Sequence, residues 1–264
     1  MKSFRELLGY KSLKRVLPGP LLLREMAWRY WMYGEREVRI LKTLIRPGSG
    51  TIDVGAASGL YAYHLSRYSK DVFAYEPNPE WTEWLRSAVP ANVSVFEVAL
   101  SNRPGRAILS IPPPSLDDQS GDFSLRCPEA ASIEKAFSEV PCDRIEVKTA
   151  CLDEYSHRDI SFIKIDVEGH ELAVLDGADE TIRANRPLLL VEIIQQHIKR
   201  DIYDEFAAIE MRDYRGMFFL NGRLNPLEQF RREVHQPSVD FANKPETYVM
   251  NFLFVPAERA RQYL

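Results

Sequence analysis

Cysteine is scarce in this 264-residue chain, and its three residues (Cys127, Cys142, Cys151) are odd in number and lack CxxC spacing. That argues against a disulfide framework or a cysteine-built zinc site and fits the reduced thiols of a cytoplasmic protein. Long apolar runs are missing too: none approaches the ~18–20 residues of a membrane span. The opening Lys2-Ser3-Phe4-Arg5-Glu6 leads into no unbroken apolar stretch of the secretory kind. A basic excess is absent, the net charge being -4, which disfavours a nucleic-acid partner because phosphate binding wants a basic face. What remains is an ordinary globular composition, 45% hydrophobic and 27% charged. Its length suits one large domain, or one domain with appendages.

The charge is uneven. Residues 1–40 hold nine Lys/Arg against four Glu, a local +5 that leaves -9 for the rest. Trp28, Tyr30, Trp31 and Tyr33 are interleaved with this charge. Such a segment suits an anionic membrane or glycolipid surface, which would put the protein at the inner face of the membrane. The competing account is a helix whose aromatics pack on the domain while its charges face water.

Glycine is also sparse, 13 residues in all, yet two fall in the segment that says most, Asp53-Val54-Gly55-Ala56-Ala57-Ser58-Gly59 after the apolar Thr51-Ile52. An acid ends a buried strand, and two glycines four apart let the backbone turn into a helix and approach a ligand closely. A second acid, Glu76, closes the apolar run Val72–Tyr75 about 20 residues on, where doubly wound sheets grip ribose hydroxyls. The GxGxxG spacing of nicotinamide enzymes is not met, and Asp53 would crowd a pyrophosphate. S-adenosyl-L-methionine fits better: it has no phosphates, an ammonium for Asp53 and ribose hydroxyls for Glu76. The alternative is a helix-capping Asp53 with a solvent-facing Glu76.

Apolar patterning orders the rest. A stripe at Trp31, Val38, Leu41 and Ile45 predicts one helix ended by Pro47-Gly48. Strands are expected at Thr51–Val54, Val72–Tyr75 and Val93–Phe96, with helices at Leu60–Tyr68 and from Pro79. Ala107–Ile111 and Ile145–Lys148 read as strands flanking a long connection, 112–144, taken as a lid-like insertion in which Ser132 caps a short helix, Ile133–Phe137. Then follow strand Phe162–Val167, a helix from about Glu171, strand Leu188–Ile193, helix Tyr203–Met211, strand Met217–Leu220, a long loop and a final strand Thr247–Val255. This alternation predicts an α/β fold with a parallel sheet covered on both faces and an antiparallel edge. The division expected is an N-terminal helical segment, 1–46, and a main domain, 47–264.

A second constellation lies in Phe162-Ile163-Lys164-Ile165-Asp166-Val167-Glu168-Gly169-His170-Glu171. Alternation puts Lys164, Asp166 and, if the strand extends so far, Glu168 on one face. Buried charges of this kind must pair or do work. One account makes them a substrate-side acid group; the other is a Lys164–Asp166 ion pair with Glu168 capping the next helix. Glu192 ends the neighbouring apolar run and can converge with Asp166 and Glu168, either around a divalent cation or as a tuned base. His170 and His197 follow as residues suited to proton transfer.

These segments, with FAYEPNP, FEVALSNRPGRAIL, FIKIDVEGHELAVLDGA and LLLVEI in order over roughly residues 35–195, resemble the FkbM family of S-adenosylmethionine-dependent methyltransferases. The resemblance implies the class I methyltransferase (Rossmann-like) fold, with a seven-stranded sheet whose last strand is antiparallel. It puts Asp53, Gly55, Ala56, Ser58 and Gly59 at the cofactor turn, Glu76 on the ribose, Pro77 and Asn78 shaping that turn, and Val98 and Ala99 near the adenine. Asp166, Glu168, His170 and Glu192 would face the acceptor. Two departures stand out, Ala57-Ser58 in place of an asparagine-containing pair and His170 in place of a smaller or apolar residue. The expected activity is O-methylation of a saccharide or glycan hydroxyl, with a polyketide-like small molecule as the next choice. A nicotinamide oxidoreductase and a non-catalytic scaffold are the rivals from other classes.

Overall fold

The computed structural model describes residues 18–111, 133, 143–239 and 244–263. Most of the 112–144 insertion, the Ser132 cap and its helix (Ile133 excepted), Cys127, Cys142 and residues 1–17 lie outside the described residues. Helix α1 (Gly19–Tyr33) is followed by a 3-10 turn (Arg36–Ile40) and a short α2 (Leu41–Leu44). Next come β1 (Gly50–Val54), α3 (Leu60–Ser66), β2 (Val72–Tyr75), α4 (Pro79–Ala88) and β3 (Val93–Phe96). Strands β4 (Ala99–Leu100), β5 (Gly105–Ile111) and β6 (Asp143–Ala150) form a separate three-stranded sheet. The main sheet resumes with β7 (Ile160–Ile165), α5 (Glu171–Asp176), α6 (Asp179–Asn185), β8 (Leu188–Glu192) and α7 (Ile202–Glu210). Strands β9 (Tyr214–Leu220) and β10 (Arg223–Pro226), helix α8 (Arg232–His235) and β11 (Asn251–Pro256) complete it.

The main sheet runs β10-β9-β11-β8-β7-β1-β2-β3. Pairing is parallel from β8 to β3 and antiparallel through β11, β9 and β10. The chain winds one way from β1 to β3 and the other way through β7 and β8. The crevice at that reversal, outside the carboxyl ends of β1 and β7, is where such sheets bind ligands. Both faces are covered. Ile163, Ile165, Leu189 and Val191 pack with Val174, Leu175 and Ile182, whereas Phe162, Leu188 and Leu190 pack with Leu41, Tyr61 and Leu65. Two-sided burial explains why these strands read as continuous apolar runs.

Three expectations need correction. The sheet has eight strands, not seven, because Asn221-Gly222, at φ of 53 and 78 degrees, closes a two-residue hairpin that pairs Leu220 with Arg223. Asn-Gly is the standard pair for that turn, since both positions need positive φ. The stripe from Trp31 to Ile45 is not one helix: α1 stops at Tyr33, and Glu35 is extended. The Arg39 guanidinium donates to the Trp31 and Met32 carbonyl oxygens, at 2.9 and 2.7 Å, serving the helix end from outside. Finally, β7 ends at Ile165, so the acids after it are held by a turn and not by strand alternation.

Candidate active site

At the end of β1 the backbone turns at Gly55, with φ +78 degrees. A Cβ built there would lie 1.8 Å from the Asp166 carbonyl oxygen, so the glycine is demanded by the β7 end as much as by any ligand. The Gly55 and Ala56 amides donate to the Tyr75 carbonyl. Ala57, held at φ +42 degrees, aims its amide at Glu76 Oε2, and the Asn78 amide donates to Glu76 Oε1, both at 2.8 Å. A non-glycine residue in this region is strained; here the strain fixes the carboxylate at the tip of β2. Burial pushes Glu76 up to about 7 despite these two bonds.

Asp53 is 1% exposed, and its Oδ2 is buried without a hydrogen-bond partner among the described residues. Burial drives its carboxyl up to about 7 against the pull of the Lys164 ammonium. An unsatisfied carboxylate oxygen inside a protein is costly, and both acids line a cavity of about 410 Å³. With Gly55, Ala56, Ser58, Pro77, Val98 and Ala99, also in its wall, they fit a ligand with an ammonium at one end and a vicinal diol beyond. Gly59 and Asn78 stand outside the lining. Gly59 lets Leu85 approach, at 2.6 Å from a built Cβ, and Asn78 Oδ1 caps α4 through the Glu80 amide at 3.0 Å.

Beyond the turn, ligand atoms of Asp166, Glu168 and Glu192 lie within 4.8 Å of one another. Lys164, 1% exposed, holds Asp166 Oδ2 at 3.4 Å, donates to Asn251 Oδ1 at 3.1 Å and sits 5.1 Å from the Tyr61 ring centroid. Burial alone would raise Asp166, but the Lys164 ammonium and hydrogen bonds from Glu192 and Lys164 hold it below the ordinary carboxylate range. Burial, then the Asp166 charge, pushes Glu192 well above it. The two carboxyls share a hydrogen bond in which the charge is favoured on Asp166 and disfavoured on Glu192. Burial works against the Lys164 charge, yet Asp166, Glu192, Glu35 and Asp53 together raise it above the usual lysine value. Glu168 (φ +56 degrees) pairs with His197 Nδ1, and Gly169 follows at φ +97 degrees with the His197 carbonyl 2.5 Å from a built Cβ. His170 lines the cavity, but its Nε2 is hydrogen-bonded to Ser101 Oγ at 2.9 Å, and it is not one of the three convergent acids' group.

Sequence reading missed a set of residues that complete this end. Glu35 accepts from the Tyr61 hydroxyl, from Asn251 Nδ2 at 2.8 Å and from Tyr30. Tyr30, Glu35, Tyr61, Lys244 and Met250 join the acids in the wall. Glu35 looked like one more charge in a basic segment; the signal available was the Gly34 break just before it. The linked oxygens and amides tie the N-terminal helix to β11 and, through Asn251, to Lys164.

The raised carboxyls carry a pH consequence. Asp53 and Glu76 take up protons on folding, so their stabilising contribution is complete below their unfolded values near 3.8 and 4.5 and is lost as pH rises through about 7. A cation beside Asp53 favours the ionised form. S-adenosylmethionine affinity is therefore expected to rise between pH 6 and 8, with proton release on binding at pH 6. Calorimetry in buffers of different ionisation enthalpy checks this, and a flat affinity over that range refutes it. Glu76→Gln should weaken binding by about tenfold, the loss of one hydrogen bond to a charged group.

Residues 53–215, more than half of the chain, match the model of the FkbM methyltransferase domain. Among solved structures, a methyltransferase FkbM from Methylobacillus flagellatus KT is 15% identical, with a TM-score of 0.48, and the alignment covers 93% of this chain and 57% of that one. The chain thus spans little more than half the length of that relative. A SAM dependent methyltransferase from Aquifex aeolicus is 13% identical over 89% of this chain and 97% of its own, with a TM-score of 0.40. Precorrin-6y C5,15-methyltransferase from Geobacter metallireducens GS-15 is 16% identical over 70% and 73%, also at 0.40. No curated protein matches the sequence significantly.

Proposed function

This chain belongs to the FkbM methyltransferase family, and on that premise we propose that it methylates a hydroxyl oxygen of a saccharide or lipid-linked glycan with S-adenosylmethionine. The observation that carries the reading is the convergence of Asp166, Glu168 and Glu192 within 4.8 Å, beside a turn whose two acids, the clamped Glu76 and the buried Asp53, suit the cofactor. When bound, S-adenosylmethionine supplies a methyl group on a positively charged sulfur, and S-adenosylhomocysteine is the by-product. The chain's own residues do the rest. Glu76 and Asp53 fix the donor; Tyr30, Tyr61 and the acids line the acceptor end. The acceptor oxygen forms its bond to the methyl carbon as the carbon–sulfur bond breaks, and its proton passes to a carboxylate oxygen of Asp166. Holding the oxygen and carbon in line supplies most of the rate. Removing the proton matters because an aliphatic hydroxyl is a poor acid.

The same three acids have the oxygen donors a divalent cation takes. Lys164 already places a positive charge 3.4 Å from Asp166, and Glu192, pushed well above the carboxylate range, favours its neutral form, so most of the cluster's negative charge is offset from within. Chelation with EDTA should accordingly leave turnover within about twofold, a loss too small for a metal that stabilises developing charge. A larger loss, restored by magnesium, would assign the cluster to a cation. The reading as a whole is tested by transfer of labelled methyl from S-adenosylmethionine to a panel of saccharides and lipid-linked glycans. Label on nitrogen or carbon acceptors alone would overturn it.

A further inference from the structure

Helix α1 has two faces with different duties. Leu22, Leu23, Met26 and Ala27 are buried and pack with Leu60 and Ala88, while Tyr30 reaches the cavity wall. The opposite stripe, at spacings of three, four and three, is Leu21, Arg24, Trp28 and Trp31, with Met32 beside it. All five are exposed, Trp28 by 59% and Trp31 by 43%. Two indoles and two aliphatic side chains facing water on one helix exceed the scattered apolar residues of an ordinary surface.

Charge identifies what this face meets. Arg24, Arg36, Arg39 and Lys42 are exposed on and just beyond the helix. Of the acids nearby, Glu25 pairs with Arg29, Glu35 is turned inward to Tyr61 and Asn251, and Glu37 is half-buried between Arg36 and Arg39. The 18 residues that precede the helix hold five Lys/Arg against one Glu. A two-fold contact between copies of this chain would press these like charges together. An aqueous acidic protein surface would match the arginines and leave the indoles unused. Indole rings flanked by arginine and lysine suit the boundary between anionic headgroups and acyl chains, where both halves of the pattern are satisfied.

We propose that the outer face of α1 docks on an anionic phospholipid bilayer, with the cavity on the far side of the helix from the lipid. Tyr30, one helix diameter inward (about 10–12 Å), lines the acceptor end, so the docked helix is the partition between lipid and site. The consequence that the methylated glycan is lipid-borne rests on the O-methylation reading; the docking itself does not. No helix among the described residues is long and apolar enough to cross a membrane, so the contact is peripheral.

The experiment is cosedimentation of the full chain with phosphatidylcholine vesicles, with and without about one-quarter phosphatidylglycerol, across a salt series that screens surface charge. Binding to the anionic vesicles is expected, with a blue shift of tryptophan emission and weakening as salt rises. The double variant Trp28→Glu, Trp31→Glu should lose at least about tenfold in vesicle affinity, because it replaces the apolar area that enters the interface with charge that anionic headgroups repel. Its S-adenosylmethionine affinity should equal that of the wild type, which shows that it folds. Absence of binding to anionic vesicles, equal binding to neutral ones, or a double variant that binds as well as the wild type overturns the proposal. So does a wild-type dimer in sedimentation velocity that the double variant abolishes while neither binds vesicles. Loss of S-adenosylmethionine binding in the wild type would sink the methyltransferase reading and leave the docking result standing.

Discussion

Asp166→Asn is expected to lower methyl transfer by about 10³-fold while changing S-adenosylmethionine affinity by no more than about threefold, in the range that a positioned base contributes. The argument is electrostatic. Lys164 and a hydrogen bond from Glu192 favour the ionised form of Asp166, so it meets the hydroxyl as a carboxylate, and its contribution comes from position more than from basicity. Asparagine keeps the shape but cannot accept the hydroxyl proton. Glu192→Gln offers the contrast, because an amide still donates to Asp166; with that hydrogen bond to the charged group retained, its loss should be far smaller than that of Asp166→Asn. Single-turnover transfer of labelled methyl and calorimetry on the same preparations separate chemistry from binding. Wild-type turnover in Asp166→Asn would remove Asp166 from the mechanism, and equal losses in both variants would place the proton wrongly.

The second large effect is on folding. Gly55→Ala puts a methyl 1.8 Å from the Asp166 carbonyl at φ +78 degrees. Left-handed backbone strain costs about 1–3 kcal/mol, and forcing atoms into a packed region adds about 1–3 kcal/mol. At roughly 2–4 °C per kcal/mol for a chain of this size, the melting temperature should fall by ~5–20 °C, and S-adenosylmethionine binding should fail because β1 and β7 can no longer meet. Gly222→Ala is the control: it has the same φ of +78 degrees but nothing within 4 Å of the added Cβ. It carries the strain without the collision, so its drop should be about half or less by the same two ranges. Equal drops in thermal melts would show that the collision does not decide stability at Gly55.

Much of this was legible from residues alone. Val72–Tyr75 forms the strand its apolar run announces, because a strand buried on both faces carries its signal in four or five consecutive residues; Val93–Phe96 also forms its strand, at the sheet's edge and only partly buried. The eighth strand was legible as well, in Asn221-Gly222, but the two turn residues sat inside what read as a long loop. The single helix drawn through Trp31 and Ile45 failed for another reason: periodicity counts apolar spacings and cannot register that Glu35 finds Tyr61 and Asn251 across the fold.

The sequence by itself determined the alternation of strands and helices, the glycine turn with its acids at Asp53 and Glu76, and the charged cluster around Asp166, because each is a local pattern within one or two elements. Tertiary structure alone decided that Gly55 and the Asp166 carbonyl touch, that Asp166 is held below and Glu192 pushed above the ordinary carboxylate range, and that Glu35 belongs to the site at all. The physical reason is common to all three. Burial, close approach and charge coupling depend on distances between residues tens to hundreds of positions apart, and only the closed sheet sets those distances.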